Sequence, residues 1–105
     1  MKFREIFDEK KDIFLFVLSD KICRIIIRSI TEKSKSAIEI SDEEGISLAS
    51  VYRRLDILSN NKIIMPSAII SKDGKKIFFY KVNIHYIQTW FDINGVKVKI
   101  SNSRC

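Results

Sequence analysis

Apolar residues in the middle of the chain recur at helical spacing. Leu48, Val51, Leu55 and Leu58 lie three and four residues apart, the repeat of one helix face. Ser47 precedes them and is placed to cap the helix N-terminus with its side-chain oxygen. At about 100° per residue, Arg53 points away from the apolar face, Ser50 shares that outer surface, and Tyr52 and Arg54 flank it. Upstream, Ser36 and Glu39 form a capping-box pattern that opens a helix over 36–44, with Ile40 turned inward. Gly45 stands where a helix end favours positive φ, and Ile46 follows as a buried plug before the Ser47 helix. Helix, short turn with glycine, helix is the helix-turn-helix arrangement.

Two hairpins follow. Ser67–Ser71 and Lys76–Val82 read as strands, and Asp73-Gly74 between them is a two-residue type I′ turn signal. Lys72, Lys75 and Lys76 crowd that tip, and the return strand is apolar on both faces. Farther on, Asn94-Gly95 gives the same turn signal between strands over 84–93 and 96–101. The implied register sets Ile93 against Val96, Phe91 against Val98 and Thr89 against Ile100, with Asp92 facing Lys97 and Trp90 facing Lys99. Ile87, Phe91, Ile93, Val96, Val98 and Ile100 then share one apolar face that needs cover. Three covers fit: the wing sheet, the N-terminal helix, or a second subunit. The run Asp12–Leu18 is too dense in apolar residues to show a period.

The stretch Gly45–Leu58 resembles the recognition-helix segment of archaeal and bacterial winged-helix regulators of the ArsR and TrmB type. Val17–Ile27 is similar to the first core helix of the ArsR group, and Asn61-Lys62-Ile63-Ile64 to its link into the wing. The likeness spans roughly residues 14–82. It implies a helix over 8–18 and an α+β, winged helix-turn-helix fold, with an extra C-terminal β-hairpin where that family usually ends in a helix. The expected organisation is a single domain over 1–105: a helical core at 8–66, a wing at 67–82 and a hairpin extension at 83–105. The resemblance also implies double-stranded DNA as partner, a homodimer joined through the N-terminal helix or the C-terminal hairpin, and a cytoplasmic location.

Charge agrees with that expectation. The formal net charge of this 105-residue chain is +6. Residues 1–45 hold nine Lys/Arg against ten Asp/Glu, and residues 46–105 hold ten against three. The whole positive surplus therefore begins at the recognition helix, where a phosphate backbone would be drawn. Lysine-rich surfaces often show such a bias; its coincidence with the motif favours nucleic acid.

Other chemistries find little support. There is no P-loop, no glycine-rich dinucleotide turn and no HExxH, so no enzyme is expected. His85 falls in a predicted strand with no evident partner and reads as a structural or surface histidine, not a catalytic one. Asp42-Glu43-Glu44 reads as a solvated run at a helix end, not a metal site. Cys23 reads as a buried small apolar residue and Cys105 as a reduced chain end. With no cysteine between them, the Cys-x-Cys metal site of ArsR sensors is missing, and neither metal nor cofactor is expected. No run of 18 apolar residues could span a membrane.

The expected function is thus a sequence-specific, dimeric transcriptional regulator. Ser47, Ser50, Tyr52, Arg53 and Arg54 of a helix over about 47–60 would meet the major groove, and Lys62, Lys72, Lys75 and Lys76 would hold phosphates. The alternative is a winged helix used for protein contacts in a transcription or chromosome complex, favoured by Ile57 being turned partly outward. RNA binding is a third reading.

Overall fold

The computed structural model describes residues 2–103. In chain order its elements are β1 (Arg4–Ile6), α1 (Lys10–Ser19), α2 (Lys21–Ser29), α3 (Ala37–Glu44), α4 (Leu48–Asn60), β2 (Ile64–Ile70), β3 (Lys76–Val82), β4 (Tyr86–Asp92) and β5 (Gly95–Ser101). The protein is mixed α+β, with four helices and two small antiparallel sheets among the described residues. It divides into two compact units, one from Lys21 to Asn83 and one built from the residues up to Asp20 and from Ile84 onward.

In the Lys21–Asn83 unit, three helices and a hairpin share a core of Cys23, Ile26, Ile30, Ala37, Ile40, Val51, Leu55, Leu58, Ile63 and Ile64, all buried. The buried positions of α4 follow the i, i+4, i+7 spacing expected of an amphipathic helix. Leu48, in the first turn of α4, departs from the expected face: it is 38% exposed. The start of α3 is fixed by a reciprocal capping box. The Ser36 Oγ accepts from the Glu39 N–H at 3.2 Å, and Glu39 Oε1 accepts from the Ser36 N–H at 3.0 Å. At its end Gly45 adopts φ 68°, ψ 32°, left-handed values that cost glycine least. The Ser41 hydroxyl then donates to the Ile46 carbonyl at 2.5 Å, tying the turn to the helix it leaves. Ile46 is half-buried.

Between α2 and α3 the backbone of Lys35 makes an antiparallel bridge with Tyr80 of β3, with N–H to O distances of 3.2 and 2.9 Å. β3 pairs on its other side with β2 from Ile64↔Val82 to Ile70↔Lys76. The expected two-residue Asp-Gly turn is not formed. The Ser71 N–H donates to the Lys75 carbonyl at 2.8 Å and the Gly74 N–H to the Ser71 carbonyl at 2.9 Å, leaving the three-residue loop Lys72-Asp73-Gly74. Only Gly74 has positive φ, at 82°, and Asp73 does not. The Ser71 hydroxyl donates to the Asp73 carboxylate and accepts from the Lys75 N–H, which stabilises a tight turn followed by a left-handed glycine over the type I′ alternative.

In the second unit β5 lies between β1 and β4. β1 was not foreseen: three residues carry no period, and they become a strand by pairing Arg4 with Ile100 and Ile6 with Val98. Phe14 and Val17 of α1 are buried, and α1 packs on β5 over buried Val98 and Ile100. The Lys11 ammonium donates to the Val96 carbonyl at 3.2 Å. Two expectations change here. The run 17–27 is not one helix, since α1 stops at Asp20, whose ψ of 115° is extended. The hairpin register is also shifted. Asp92 pairs with Gly95, Phe91 with Val96, Trp90 with Lys97 and Gln88 with Lys99. The Asp92 carboxylate accepts from the Asn94 N–H at 2.7 Å, so Ile93-Asn94 forms the loop and Gly95, at φ 127°, opens β5. The faces survive the shift, because the pairing moves by two residues, from Ile93 to Phe91 opposite Val96, and the side-chain period is two. Of the three covers considered for the apolar face, α1 takes the inner part. Phe91 and Ile93 remain 81% and 99% exposed.

Candidate nucleic-acid interface

Helix α4 with its N-cap, the link from it into β2, and the β2–β3 hairpin carry all of the residues singled out for DNA. Ser47, at φ −58° and ψ 143°, is the N-cap of α4, and its Oγ accepts from the Ser50 N–H at 3.3 Å. The helix N-terminus, with unpaired N–H groups and a positive dipole end, is a favourable place for a phosphate oxygen. Tyr52 and Arg53 are exposed, whereas Ser50 and Arg54 are half-buried. Ser50 is therefore less outward than its helix phase implied.

Lys62 has a structural job as well as a charge. It sits just past the C-cap Asn61 at φ 58°, a left-handed conformation unusual for a residue with a side chain. The Ile63 N–H reaches back to the Leu58 carbonyl at 2.9 Å, which satisfies one orphan carbonyl of the helix end. The Lys62 carbonyl accepts from the Asn83 side-chain amide at 2.7 Å, and the Lys62 side chain stays exposed.

Lys72, Lys75 and Lys76 are exposed at the hairpin tip. They differ in freedom. The Lys76 ammonium lies over the Phe78 ring, 5.4 Å from its centroid. Asp73 sits among them, and the Ser71 hydroxyl beside it holds its carboxyl below the usual aspartate range. One of the tip's positive charges is thus offset by a neighbour that stays ionised.

Tyr52 and Lys76 come together along one cleft of about 500 Å³, whose other walls are Ile38, Ile77, Phe78 and Tyr80. Burial pushes the Tyr80 hydroxyl above its usual pKa, with Tyr52 and Asp56 of α4 adding to the shift. The sequence analysis singles out neither Ile38 nor the apolar side chains of β3 as part of a site. Ile38 is in fact 57% exposed and Phe78 43%. The available signal was the apolar character of both faces of β3, which leaves one face without cover.

Among the described residues no group of three His, Cys, Asp or Glu could hold a metal ion. Asp42, Glu43 and Glu44 are exposed, and Glu43 pairs with Lys35 at 3.4 Å. Cys23 is buried, and Cys105 lies outside the described residues. His85 is in the link before β4, not in a strand. Its N–H donates to the Ser101 carbonyl at 2.9 Å, and its buried Nδ1 has no protein partner among the described residues. No described helix is long and apolar enough to cross a membrane.

Searches against protein-family models and curated proteins find no match.

Proposed function

We propose that the chain is a winged-helix, sequence-specific regulator that binds double-stranded DNA as a homodimer. The observation that carries the reading is the order of parts within Lys21–Asn83. A helix, a bridging residue, two helices around a glycine turn and a lysine-tipped hairpin follow one another, with Lys35 pairing to β3 as a short third strand. In this reading α4 enters the major groove. Arg53 and Tyr52 reach base edges, with Ser50 and Arg54 beside them, and Ser47 meets a phosphate at the helix N-terminus. Lys62, Lys72, Lys75 and Lys76 neutralise backbone. An arginine bidentate to guanine supplies about 1–3 kcal/mol of discrimination.

The experiment is a gel-shift titration against randomised duplex DNA and RNA pools at two salt concentrations. Enrichment of a duplex DNA motif, with affinity falling steeply in salt, is the expected result. Preference for RNA, or no salt dependence, overturns it.

One observation favours the second reading, a protein-contact module. The cleft holding Tyr52 is lined by exposed Ile38, Ile77 and Phe78, the composition of a small peptide groove. Ile38→Lys separates the two. It leaves DNA affinity unchanged or raised if α4 works on DNA, and abolishes function if the cleft is the working surface.

A further inference from the structure

β4 is a bare sheet edge. It runs seven residues, Tyr86–Asp92, with β5 on one side and no described strand on the other. A sheet edge presents a row of unpaired N–H and C=O groups, and folded proteins usually blunt it with lysine, proline, a bulge or brevity. The other edges of this molecule are blunted. β1 is three residues long and carries Arg4 and Glu5. β2 carries Pro66, which has no N–H to give. β3 is bridged by Lys35. β4 has no lysine, no proline and an unbroken register with β5. It also exposes apolar side chains on both faces, with Trp90 70% and Phe91 81% exposed, and Ile93 just beyond it 99% exposed.

We propose that β4 is the seam of a homodimer, pairing antiparallel with β4 of a second copy in a register centred on Trp90. This deepens the regulator reading by naming its dimer contact, and rests on that reading only for the expectation of a dimer. The unpaired backbone selects a β-strand as occupant, and the side chains select this strand. Centring on Trp90 sets Gln88 against Asp92 of the second copy, so the single charge of β4 meets an amide and no like charge. Thr89 then faces Phe91 of the second copy, and Ile87 lies beside its Ile93. The apolar face that α1 covers over Val98 and Ile100 would continue across the seam through Phe91 and Ile93. The two Trp90 rings meet on the other face. Centring on Thr89 instead would oppose Asp92 to Tyr86 and Ile93 to His85, which leaves the most exposed aliphatic against a polar partner.

The test uses the full chain without DNA, so its outcome is independent of the DNA titration. A seam of one strand pair is small, and the dimer should dissociate within about 1–200 µM. Trp90 is the only tryptophan and reports directly on the seam. Across that range sedimentation should show a twofold rise in mass, while Trp90 emission moves to shorter wavelength and becomes shielded from iodide. Gln88 supplies the check on register. Within one chain it faces Lys99. Gln88→Glu would gain an ion pair inside its own sheet, yet face Asp92 of the second copy. Gln88→Lys would do the reverse. The expected outcome is a dimer weakened about 2- to 20-fold by Gln88→Glu and strengthened by a similar factor by Gln88→Lys. Monomer stability should move in the opposite direction, so misfolding cannot mimic the result. A chain that stays monomeric over the whole range overturns the seam. So does a dimer indifferent to both substitutions with Trp90 emission unchanged.

Discussion

Lys62 combines a strained backbone with an exposed cation at the end of α4. A side chain in left-handed backbone costs roughly 1–2 kcal/mol, which glycine does not incur. Lys62→Gly should therefore raise the unfolding free energy by about 1 kcal/mol and, on the DNA-binding reading proposed above, reduce the log–log salt slope by about 0.9. Chemical denaturation and a salt titration read the two effects; a loss of stability would show that the side chain packs. Arg53 differs in kind. On the same proposed reading, Arg53→Ala should flatten the preference among DNA sequences, and a uniform loss of affinity would demote it to a phosphate contact. Leu55 is 1% exposed beneath the same helix. Leu55→Ala should cost about 2–5 kcal/mol, and an unchanged melt would contradict the packing of α4.

Helix α3 is held at its start by a carboxylate, which makes its stability depend on acid. The hydrogen bond from the Ser36 backbone holds the Glu39 carboxyl below the usual glutamate range, helped by the Ser36 hydroxyl and by Lys33 and Lys35. Because the folded pKa lies below the unfolded one, the contribution is present above about pH 4.3 and is lost as pH falls through the depressed value. Glu39→Gln should lower the melting temperature at pH 7, and the gap from the native chain should close in stronger acid. A gap independent of pH would mean that the cap works without its charge. At the hairpin tip, Lys75→Ala should reduce the salt slope more than Lys76→Ala, whose ammonium already lies over Phe78. The elements differ in how far sequence revealed them. The capping box, Gly45 and the buried stripe of α4 were legible because their causes lie within a few residues. The hairpin turns were misplaced because a carboxylate or hydroxyl, Asp92 in one and Ser71 in the other, captures a nearby group and overrides the Asp-Gly and Asn-Gly signals. β1 was invisible because its cause, β5, lies some ninety residues away. Around the candidate site the exposure of the lysines, Arg53 and Tyr52 was legible, while that of Ile38 and Phe78 was not, because exposed and buried apolar residues look alike in a sequence.

The Lys21–Asn83 unit contains its own core and hairpin. A fragment of these residues should keep a cooperative melt and its helix content, measured by circular dichroism; a non-cooperative fragment would show that the two units fold only together. The other unit is closed by β1 against β5, which among the described residues joins the first strand to the last. That pairing has a consequence on the ribosome. The Lys21–Asn83 unit is complete once Asn83 has emerged, but β1 and α1 must wait for β5, so Phe14 and Val17 lack their β5 cover until Ser101 has been made. Domains fold as units while the chain is made, and loop closure is easier once the intervening length has collapsed. β1 and α1 are therefore made well before the strand that fixes their place.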